Sequence, residues 1–379
     1  MVEIECLASV RELPPKEWNA LVGDASPFLE WEWLASLEEA GCVGGRSGWT
    51  PRPLVARESG RLIAAAPLYL KEHSEGEFVF DWGWADAAER AGIAYYPKML
   101  VGVPFTPAAG VRFLVAAGED SAAWRPRLAA ALVEICRERE LSGVHVNFCR
   151  EDEIAPLRAQ GFALRVGVQY QWRNAGYGEF ADWLARFRSK RRNQIKRERR
   201  EVADAGVVVE TFAGEAIPDA LFGPMFRFYL ATVRGRAWGR QYLNQKFFEL
   251  LRERFKHRLC FVVARVGDEP IAGTFNVQKG DTLWGRYWGA THEVRNLHFE
   301  VCYYAAVEHC IANGLARFEP GAGGDYKQVR GFDGEPTWSL HWLAEPRLRA
   351  AVGRFLAEER ERTLGGIEWL REHSALKGD

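Results

Sequence analysis

The chain has 379 residues, enough for two or three domains. Hydrophobic residues make up 47% and charged residues 27%, which is ordinary globular usage and excludes wholesale disorder. The 50 basic and 51 acidic residues nearly balance, so only a local patch could recognise a polyanion or an anionic membrane surface. Seven cysteines without a CxxC pair predict reduced thiols. With no signal-peptide core and no apolar run of spanning length, we expect a soluble, cytoplasmic protein.

The first half of the chain alternates short strands with helices. Turn residues, hydrophobic alternation and helical periodicity indicate where each element begins and ends. The predicted elements are strands over 53–57, 62–70 and 78–84, a loop-rich stretch over 85–110, a helix over 121–140, a strand over 143–148, a short helix over 154–160 and a strand over 162–172.

The second half repeats this order. The predicted elements are strands over 259–266, 271–278 and 282–289, a helix over 299–313 and a strand over 316–319. We interpret the repetition as the duplication of one α/β unit. The Gly-containing loop over 174–178 predicts the boundary, with one domain over 1–173 and a second over 174–379.

A strongly basic segment lies just after this boundary. Residues 186–200 read RFRSKRRNQIKRERR, with nine basic residues and one acid, Glu198, so the local charge is +8 and the rest of the chain carries −9. The segment has no Gly or Pro, which favours a helix. Spacings of four between Arg188, Arg192 and Lys196 predict a row of cations suited to phosphate. The alternative is a solvated helix whose cations pair with nearby acids.

Several catalytic motifs are missing from the sequence. It contains no GxSxG, no HExxH, no Walker A loop and no GxGxxG, which argues against a serine nucleophile, a zinc site and the common nucleotide-binding loops. We therefore expect no metal and no bound cofactor.

Longer strings resemble the bacterial FemAB-like family, which is related to the Fem-type aminoacyl transferases. The basic run SKRRNQIKR at 189–197 resembles the element that opens their second domain. The other matching strings are APLYLK at 66–71, FVFDWGWADAAERAG at 78–92, YYPKMLVGVPFTP at 95–107, GRYWG at 285–289, LHFEVCYY at 297–304 and RFEPGAGGDYKQVRGF at 317–332. The resemblance extends from about residue 27 to about residue 356.

The resemblance implies an α/β fold of tandem, duplicated GNAT-like acyltransferase domains, with mixed central sheets flanked by helices. Fem-type relatives transfer an aminoacyl group from charged tRNA to an amine of a cell-wall precursor peptide, whereas ordinary GNAT enzymes transfer acetyl from coenzyme A. The ordinary pyrophosphate motif is displaced by one residue in RFEPGAG at 317–323, which mildly favours tRNA as the co-substrate.

The resemblance also implies donor-side residues in the second domain. The pair Tyr326-Lys327 precedes Gly331-Phe332 and would lie at the donor end of the channel, with Lys327 as a cation at the acyl carbonyl or at a donor phosphate. A surface lysine in a loop is the alternative. The predicted residues for binding the donor or its phosphates are Arg191, Arg192, Lys196, Arg330, Tyr326 and Arg286.

Catalytic candidates beside Lys327 are Glu319, Glu300 and His298. Transfer to an amine needs a group that accepts a proton, and Glu319 ends a predicted strand, where α/β sheets bind ligands. A salt bridge from Glu319 to Arg286 or Lys327 is an equally good interpretation. For His298, a hydrogen-bonding role at a helix start is a more common interpretation than that of a base.

The stretch over 78–98 is rich in acids, indoles and tyrosines, which is more typical of a binding loop than of a spacer. By analogy with Fem-type enzymes, the first domain would hold the acceptor. Core packing is the alternative for the aromatic residues. The predicted acceptor-binding residues are Asp81, Trp82, Trp84, Asp86, Tyr95, Lys98 and, in the second domain, Trp288.

Three hypotheses follow. The first is an N-acyltransferase that uses aminoacyl-tRNA, bound through the basic helix, to form an amide on a peptide or amino-sugar acceptor. The second is an acetyl- or acyl-coenzyme A-dependent N-acyltransferase. The third is a noncatalytic module that recognises cell-wall fragments.

Overall fold

The computed structural model describes residues 2–235 and 240–377. The chain forms two compact units, unit 1 (Met1–Val168 and Pro336–Gly366) and unit 2 (Gln169–Glu335 and Ile367–Asp379). The first crossing between units lies within a few residues of the expected boundary. The return of 336–366 to unit 1 differs from the expected assignment of everything after residue 173 to the second domain.

Helices separate runs of consecutive strands along the chain. The strands are β1 (Val2–Cys6), β2 (Trp49–Pro51), β3 (Leu54–Glu58), β4 (Arg61–Ala66), β5 (Leu68–Lys71), β6 (Lys98–Val101), β7 (Leu114–Val115), β8 (Gly143–Cys149), β9 (Ala163–Arg173), β10 (Val208–Ala213), β11 (Leu259–Val266), β12 (Glu269–Lys279), β13 (Thr282–Ala290), β14 (Arg317–Glu319) and β15 (Asp333–Leu343). The runs of consecutive strands include β2 to β5 and β11 to β13.

The helices are α1 (Pro15–Val22), α2 (Trp31–Glu39), α3 (Trp82–Arg90), α4 (Ser121–Glu138), α5 (Ile154–Ala159), α6 (Phe180–Ala185), α7 (Ser189–Asp204), α8 (Phe222–Arg234), α9 (Gln245–Arg254), α10 (Leu297–Phe299), α11 (Ala305–Ala312) and α12 (Pro346–Glu372). A π-helical segment, Glu300–Tyr304, joins α10 to α11. A 3₁₀ turn, Asp325–Arg330, precedes β15.

Unit 1 contains both antiparallel and parallel pairs of strands. Strands β1, β3, β4 and β7 form an antiparallel sheet. Strands β2, β5 and β6 also pair antiparallel, β6 pairs parallel with β8, and β8 pairs antiparallel with β15. The apolar face of α4, including Leu128 and Leu132, is buried in one core with Met99 and Val144 of the paired strands, which fixes the helix against this sheet.

Unit 2 has the same chain order. Strands β10 to β13 form an antiparallel meander, and the helices after β13 lead to the parallel strand β14. Strand β14 also pairs antiparallel with the last residues of β9. At Gly289 a Cβ would lie 1.8 Å from the Phe228 carbonyl oxygen, so only glycine lets α8 pack this closely on β13.

The predicted mixed α/β class, with helices flanking mixed sheets, is confirmed. In both units an antiparallel strand series is followed by a helix and then by a parallel strand. The expected strand over 78–84 is wrong, because α3 begins at Trp82. The alternating large side chains suggested a strand, but Trp84 and Ala88 are buried at helical spacing.

Candidate active site

A cavity of about 760 Å³ opens in unit 2 where β13 ends and α10 begins. Asn296 adopts the left-handed conformation immediately before α10 (φ 64°), so the chain turns sharply at the rim. On the opposite wall, the Thr232 hydroxyl of α8 donates to the Trp288 carbonyl of β13 at 2.6 Å and fixes the helix to the strand. The lining residues are Ala231, Thr232, Trp288, Ala290, Thr291, His292, Glu293, Val294, Arg295, Asn296, Leu297, His298 and Phe299.

Aromatic side chains connect this cavity to the 3₁₀ turn. The His298 ring centroid lies 4.5 Å from that of Trp288 and 5.4 Å from that of Tyr303. It also lies 5.7 Å from the ring of Tyr326, which remains 41% exposed. His298 is therefore packed among aromatic rings at the cavity wall. Tyr326 extends this aromatic surface to the residue that follows it, Lys327.

Lys327 is buried inside the 3₁₀ turn. Its Nζ donates to the Gly321 carbonyl at 2.6 Å and to the Ala322 carbonyl at 3.4 Å. Burial lowers the pKa of Lys327 to about 8, and the neighbouring Cys302 thiol opposes that effect. The ammonium is therefore held at the loop after β14 and can lose its proton near neutral pH.

Glu319 is the last residue of β14, two residues before that loop. Gln171 Nε2 donates to its carboxylate at 3.1 Å. Burial raises the pKa of Glu319 to about 7, and the charges of Arg317 and Arg286 pull it downwards less strongly. This carboxyl group is thus suited to exchange a proton near neutral pH.

Arg330 is a buried internal cation. Its Nη2 donates to the two carboxylate oxygens of Glu198 at 3.0 and 3.2 Å, and its Nε donates to the Tyr304 hydroxyl at 3.0 Å. Its guanidinium carbon lies 3.3 Å from the Phe299 ring centroid. These contacts tie the 3₁₀ turn to α7 and to the π-helical segment.

Glu300 is also engaged within the protein. Arg199 donates to it through Nε at 3.1 and 3.2 Å, and its Nη2 lies 3.0 Å from Glu300 Oε1 and 2.8 Å from Glu308 Oε2. Burial raises the pKa of Glu300 and Arg199 counteracts this rise. The geometry fits a buried ion pair that fixes α7 on the π-helical segment.

The basic segment forms α7, as predicted. Ile195, Glu198 and Val202 are its buried face, whereas Lys196 is exposed and Arg191 and Arg192 are half-buried. Arg191 Nη1 donates to the Gln194 side chain at 2.9 Å. The helix therefore combines an inward contact surface with outward cations.

The predicted acceptor residues Asp81, Tyr95 and Lys98 meet in a buried cluster of unit 1. Lys98 is 0% exposed; its ammonium donates to Asp81 and, at 3.0 Å, to Glu77. Tyr95 donates its hydroxyl proton to Asp81 at 2.7 Å. Burial alone would raise the pKa of Asp81, but the Lys98 ammonium holds it well below its ordinary value.

A second basic residue, Lys71, completes this cluster. It lies 4.0 Å from Glu77, with its ammonium 3.9 Å from the Trp49 ring centroid. Burial lowers the pKa of Lys71 to about 7 and raises the pKa of Glu77 to about 7. The paired strands β5 and β6 thus each carry a lysine into the interior of unit 1, and the acids that face them, Glu77 and Asp81, lie in the segment between β5 and α3.

Trp84 covers a buried histidine pair in the same unit. The Nδ1 atoms of His145 and His341 are 2.7 Å apart, and the Trp84 ring lies edge-on to His341 at 4.9 Å. Burial lowers the pKa of His145 to about 3. Trp84 therefore packs in the core, as the alternative interpretation of the aromatic residues anticipated.

Residues 9–378 match the model of one protein family, FemAB-like, described as peptidoglycan biosynthesis/recognition. The chain belongs to the FemAB-like family. No curated protein matches it.

Solved structures share the fold of this FemAB-like protein at low sequence identity. FemX superposes with a TM-score of 0.55 at 11% identity over 90% of this chain and 98% of its own. L-PGS from Bacillus licheniformis has a TM-score of 0.52 at 7% identity, covering 91% and 97%. The C-terminal domain of a putative lysylphosphatidylglycerol synthetase from Agrobacterium fabrum has a TM-score of 0.53 at 12% identity, covering 92% and 97%.

The structure of the FemAB-like protein groups the predicted residues in three places. Lys327, Tyr326, His298, Glu319, Arg286 and Trp288 belong to unit 2 around the cavity, the 3₁₀ turn and strands β13 and β14. Trp288, expected among the acceptor residues, thus lies beside the donor candidates. Trp82 is 51% exposed and Asp86 is exposed on α3, apart from the buried Lys98 cluster.

Sequence reasoning missed residues that organise both groups. They are Glu198 and Tyr304 in unit 2, and Lys71, Glu77, His145 and His341 in unit 1. The one available signal was Glu198, the single acid in the basic run, because an isolated acid in such a run suggests an internal partner.

Neither a metal cluster nor a spanning helix is found in the described parts of the chain. Among residues 2–235 and 240–377, no group of three or more His, Cys, Asp or Glu side chains could hold a metal ion. The helices within these ranges are all too short or too polar to cross a bilayer.

Proposed function

We propose that this FemAB-like protein is an N-acyltransferase that transfers an aminoacyl group from charged tRNA to an amine of a peptide or amino-sugar acceptor. The observation that carries the proposal is the arrangement in unit 2 of Lys327 and Glu319 around one loop. Both groups have pKa values near neutrality, about 8 and about 7, and the ring contact between His298 and Tyr326 links the cavity wall to the turn that holds Lys327.

The chemistry needs no covalent enzyme intermediate. The acceptor nitrogen attacks the ester carbonyl of the aminoacyl group, a C–N bond forms and the ester C–O bond breaks. Glu319 takes the proton that the amine loses, and Lys327 supplies a proton to the departing ribose oxygen. A base with a pKa near the working pH serves such a transfer well, and a buried ammonium stabilises the oxyanion that forms on the way.

Helix α7 supplies the cations for a polyanionic donor. It contacts the rim of the cavity, since Glu201 accepts from Asn296 Nδ2 at 2.8 Å and lies 3.4 Å from Arg295. Its exposed and half-buried cations include Arg191, Arg192 and Lys196. Arginine forks suit phosphate oxygens, so a tRNA acceptor stem along α7 would direct its 3′ end towards the cavity.

The family also supports the acceptor class. The family description concerns peptidoglycan, whose precursors carry amino sugars and short peptides. A free amine on either component would satisfy the chemistry above.

A mass-spectrometric transfer assay tests the proposal. Purified protein is given charged tRNA or acetyl-coenzyme A, with a muramyl peptide bearing a free amine, and the amide product is weighed. We expect product with charged tRNA only, and loss of at least about 100-fold in rate for Lys327→Ala and Glu319→Gln. Asp204→Asn, an exposed acid at the end of α7, is the control. Product with coenzyme A alone, or no product with either donor, would refute the proposal.

A further inference from the structure

Glu198 is the only acid in the basic run at 186–200, and it faces inwards. It is 5% exposed. Its carboxylate accepts from Arg330 Nη2 at 3.0 and 3.2 Å, from the Tyr304 hydroxyl, and from Gln194 Nε2 at 2.8 Å. A helix that presents cations to solvent thus carries one carboxylate to the interior.

Arg330 connects Glu198 to the 3₁₀ turn that contains Lys327. Both residues belong to the same 3₁₀ turn, and Arg330 Nη1 also donates to the Tyr326 carbonyl within it at 3.1 Å. Gly331 ends the turn in the left-handed conformation (φ 77°), where a Cβ would lie 2.8 Å from the Phe187 ring. The turn is therefore fixed at its far end by Glu198 and by close packing.

Hydrogen bonds continue from Glu198 towards the outer face of α7. Arg191 Nη1 donates to Gln194 Oε1 at 2.9 Å, and Gln194 Nε2 donates to Glu198 Oε1 at 2.8 Å. Arg191, a half-buried cation of the basic surface, is thus linked to Arg330 by consecutive hydrogen bonds through Gln194 and Glu198. Contacts of this kind bias a neighbouring element only if it has alternative arrangements, so a response of Lys327 to tRNA is the measurement that tests this condition for the turn.

We propose that Glu198 is a positioning residue that holds the Lys327 turn against α7, so that a polyanion docked on α7 sets the placement of the Lys327 ammonium. The assignment rests on the proposed function only in giving Lys327 a role in transfer. The contact path itself is independent of the reaction.

An activity-free experiment tests the positioning. Lys327 is labelled with an acetylating reagent from pH 6 to 11, with and without uncharged tRNA, and the labelled peptide is quantified by mass spectrometry. In the wild type we expect slow labelling with a midpoint near pH 8 and a change of at least about twofold on adding tRNA. In Glu198→Gln we expect a midpoint nearer the ordinary lysine value of about 10.4 and no response to tRNA. At pH 11, where both amines are mostly neutral and the rate reports access to the amine, labelling should be at least about fivefold faster than in the wild type. Asp204→Asn should match the wild type.

Two further measurements keep the test decisive. If Glu198→Gln does not fold, Tyr304→Phe removes one hydroxyl shared by Glu198 and Arg330, and labelling at pH 11 should still rise about twofold. In the transfer assay, Glu198→Gln should lower kcat at least about tenfold with the KM for tRNA within about twofold of the wild type. A wild-type labelling rate and midpoint in both variants would overturn the proposal.

The failure of the proposed function would look different. A wild-type protein that transfers nothing from charged tRNA refutes the reaction, yet the labelling rates of Lys327 in the wild type and Glu198→Gln still decide whether Glu198 positions the turn. A labelling difference between these proteins without any tRNA response in the wild type would support the anchoring of the turn and overturn its coupling to a polyanion.

Discussion

Glu319→Gln should change how the stability of the protein depends on pH. The pKa of Glu319 rises from 4.5 to about 7 on folding, chiefly through burial. Because the folded state holds this proton more tightly, its contribution is complete below pH 4.5 and is lost as the pH rises through 7. A shift of about 2.5 units corresponds to about 3 kcal/mol at 1.36 kcal/mol per unit. Glutamine stays neutral and its carbonyl can still accept from Gln171.

The assay is urea unfolding of the wild type and Glu319→Gln at half-unit intervals from pH 4.5 to 8.5. The two free energies of unfolding should agree at pH 4.5 and diverge as the pH rises from 4.5 to 7. At pH 8 the variant should be more stable by as much as about 3 kcal/mol. Asp204→Asn, which removes an exposed acid, should follow the wild-type curve. Parallel curves for the wild type and Glu319→Gln across the whole range would refute the assignment of a raised pKa to this half-buried carboxyl group.

Other substitutions separate buried from exposed candidates. Lys98→Met should cost about 3–5 kcal/mol in urea unfolding, because it leaves two carboxylates without their buried cation; a loss below about 1 kcal/mol would contradict the described cluster. Trp82→Ala should alter stability by no more than about 0.5 kcal/mol, while calorimetry should show about tenfold weaker muramyl-peptide binding if this exposed ring contacts the acceptor; equal affinity would remove Trp82 from the acceptor site. The double charge reversal of Arg191 and Arg192 to Glu should weaken tRNA binding and flatten its salt dependence in filter binding, and an unchanged slope would exclude α7 as the tRNA surface.

Local patterns were sufficient to predict most of the elements around the site. The strand–turn–strand pattern before residue 289 and the uninterrupted basic run predicted β11 to β13 and α7, because their periodicity and turn residues are local properties. The region before β6 was different. Alternating aromatic residues over 78–84 resembled a strand, yet Trp84 and Ala88 are buried on one face of α3, so tertiary packing decided the element.

The site itself was only partly predictable. Lys327 and Glu319 could be found from the resemblance and from the end of a strand, but their perturbed pKa values arise from burial that no local pattern shows. The partner of Glu198, Arg330, lies 132 residues further along the chain, so no local pattern could identify it. Lys98 was expected to meet a ligand, whereas two carboxylates buried with it already neutralise its charge.

The two imidazoles buried beneath Trp84 can exist in only one sensible tautomeric arrangement. Burial keeps both rings neutral, so the bond between their Nδ1 atoms contains a single hydrogen. Within the described residues His145 Nε2 has no hydrogen-bond partner. Burying an unpaired acceptor costs less free energy than burying an unpaired N–H donor. His145 is therefore the donor to His341, whose Nε2–H in turn points at the Ser339 hydroxyl, 3.0 Å away. Nitrogen-15 spectra should consequently display one ring of each tautomer, a fixed polarity running from β8 to β15.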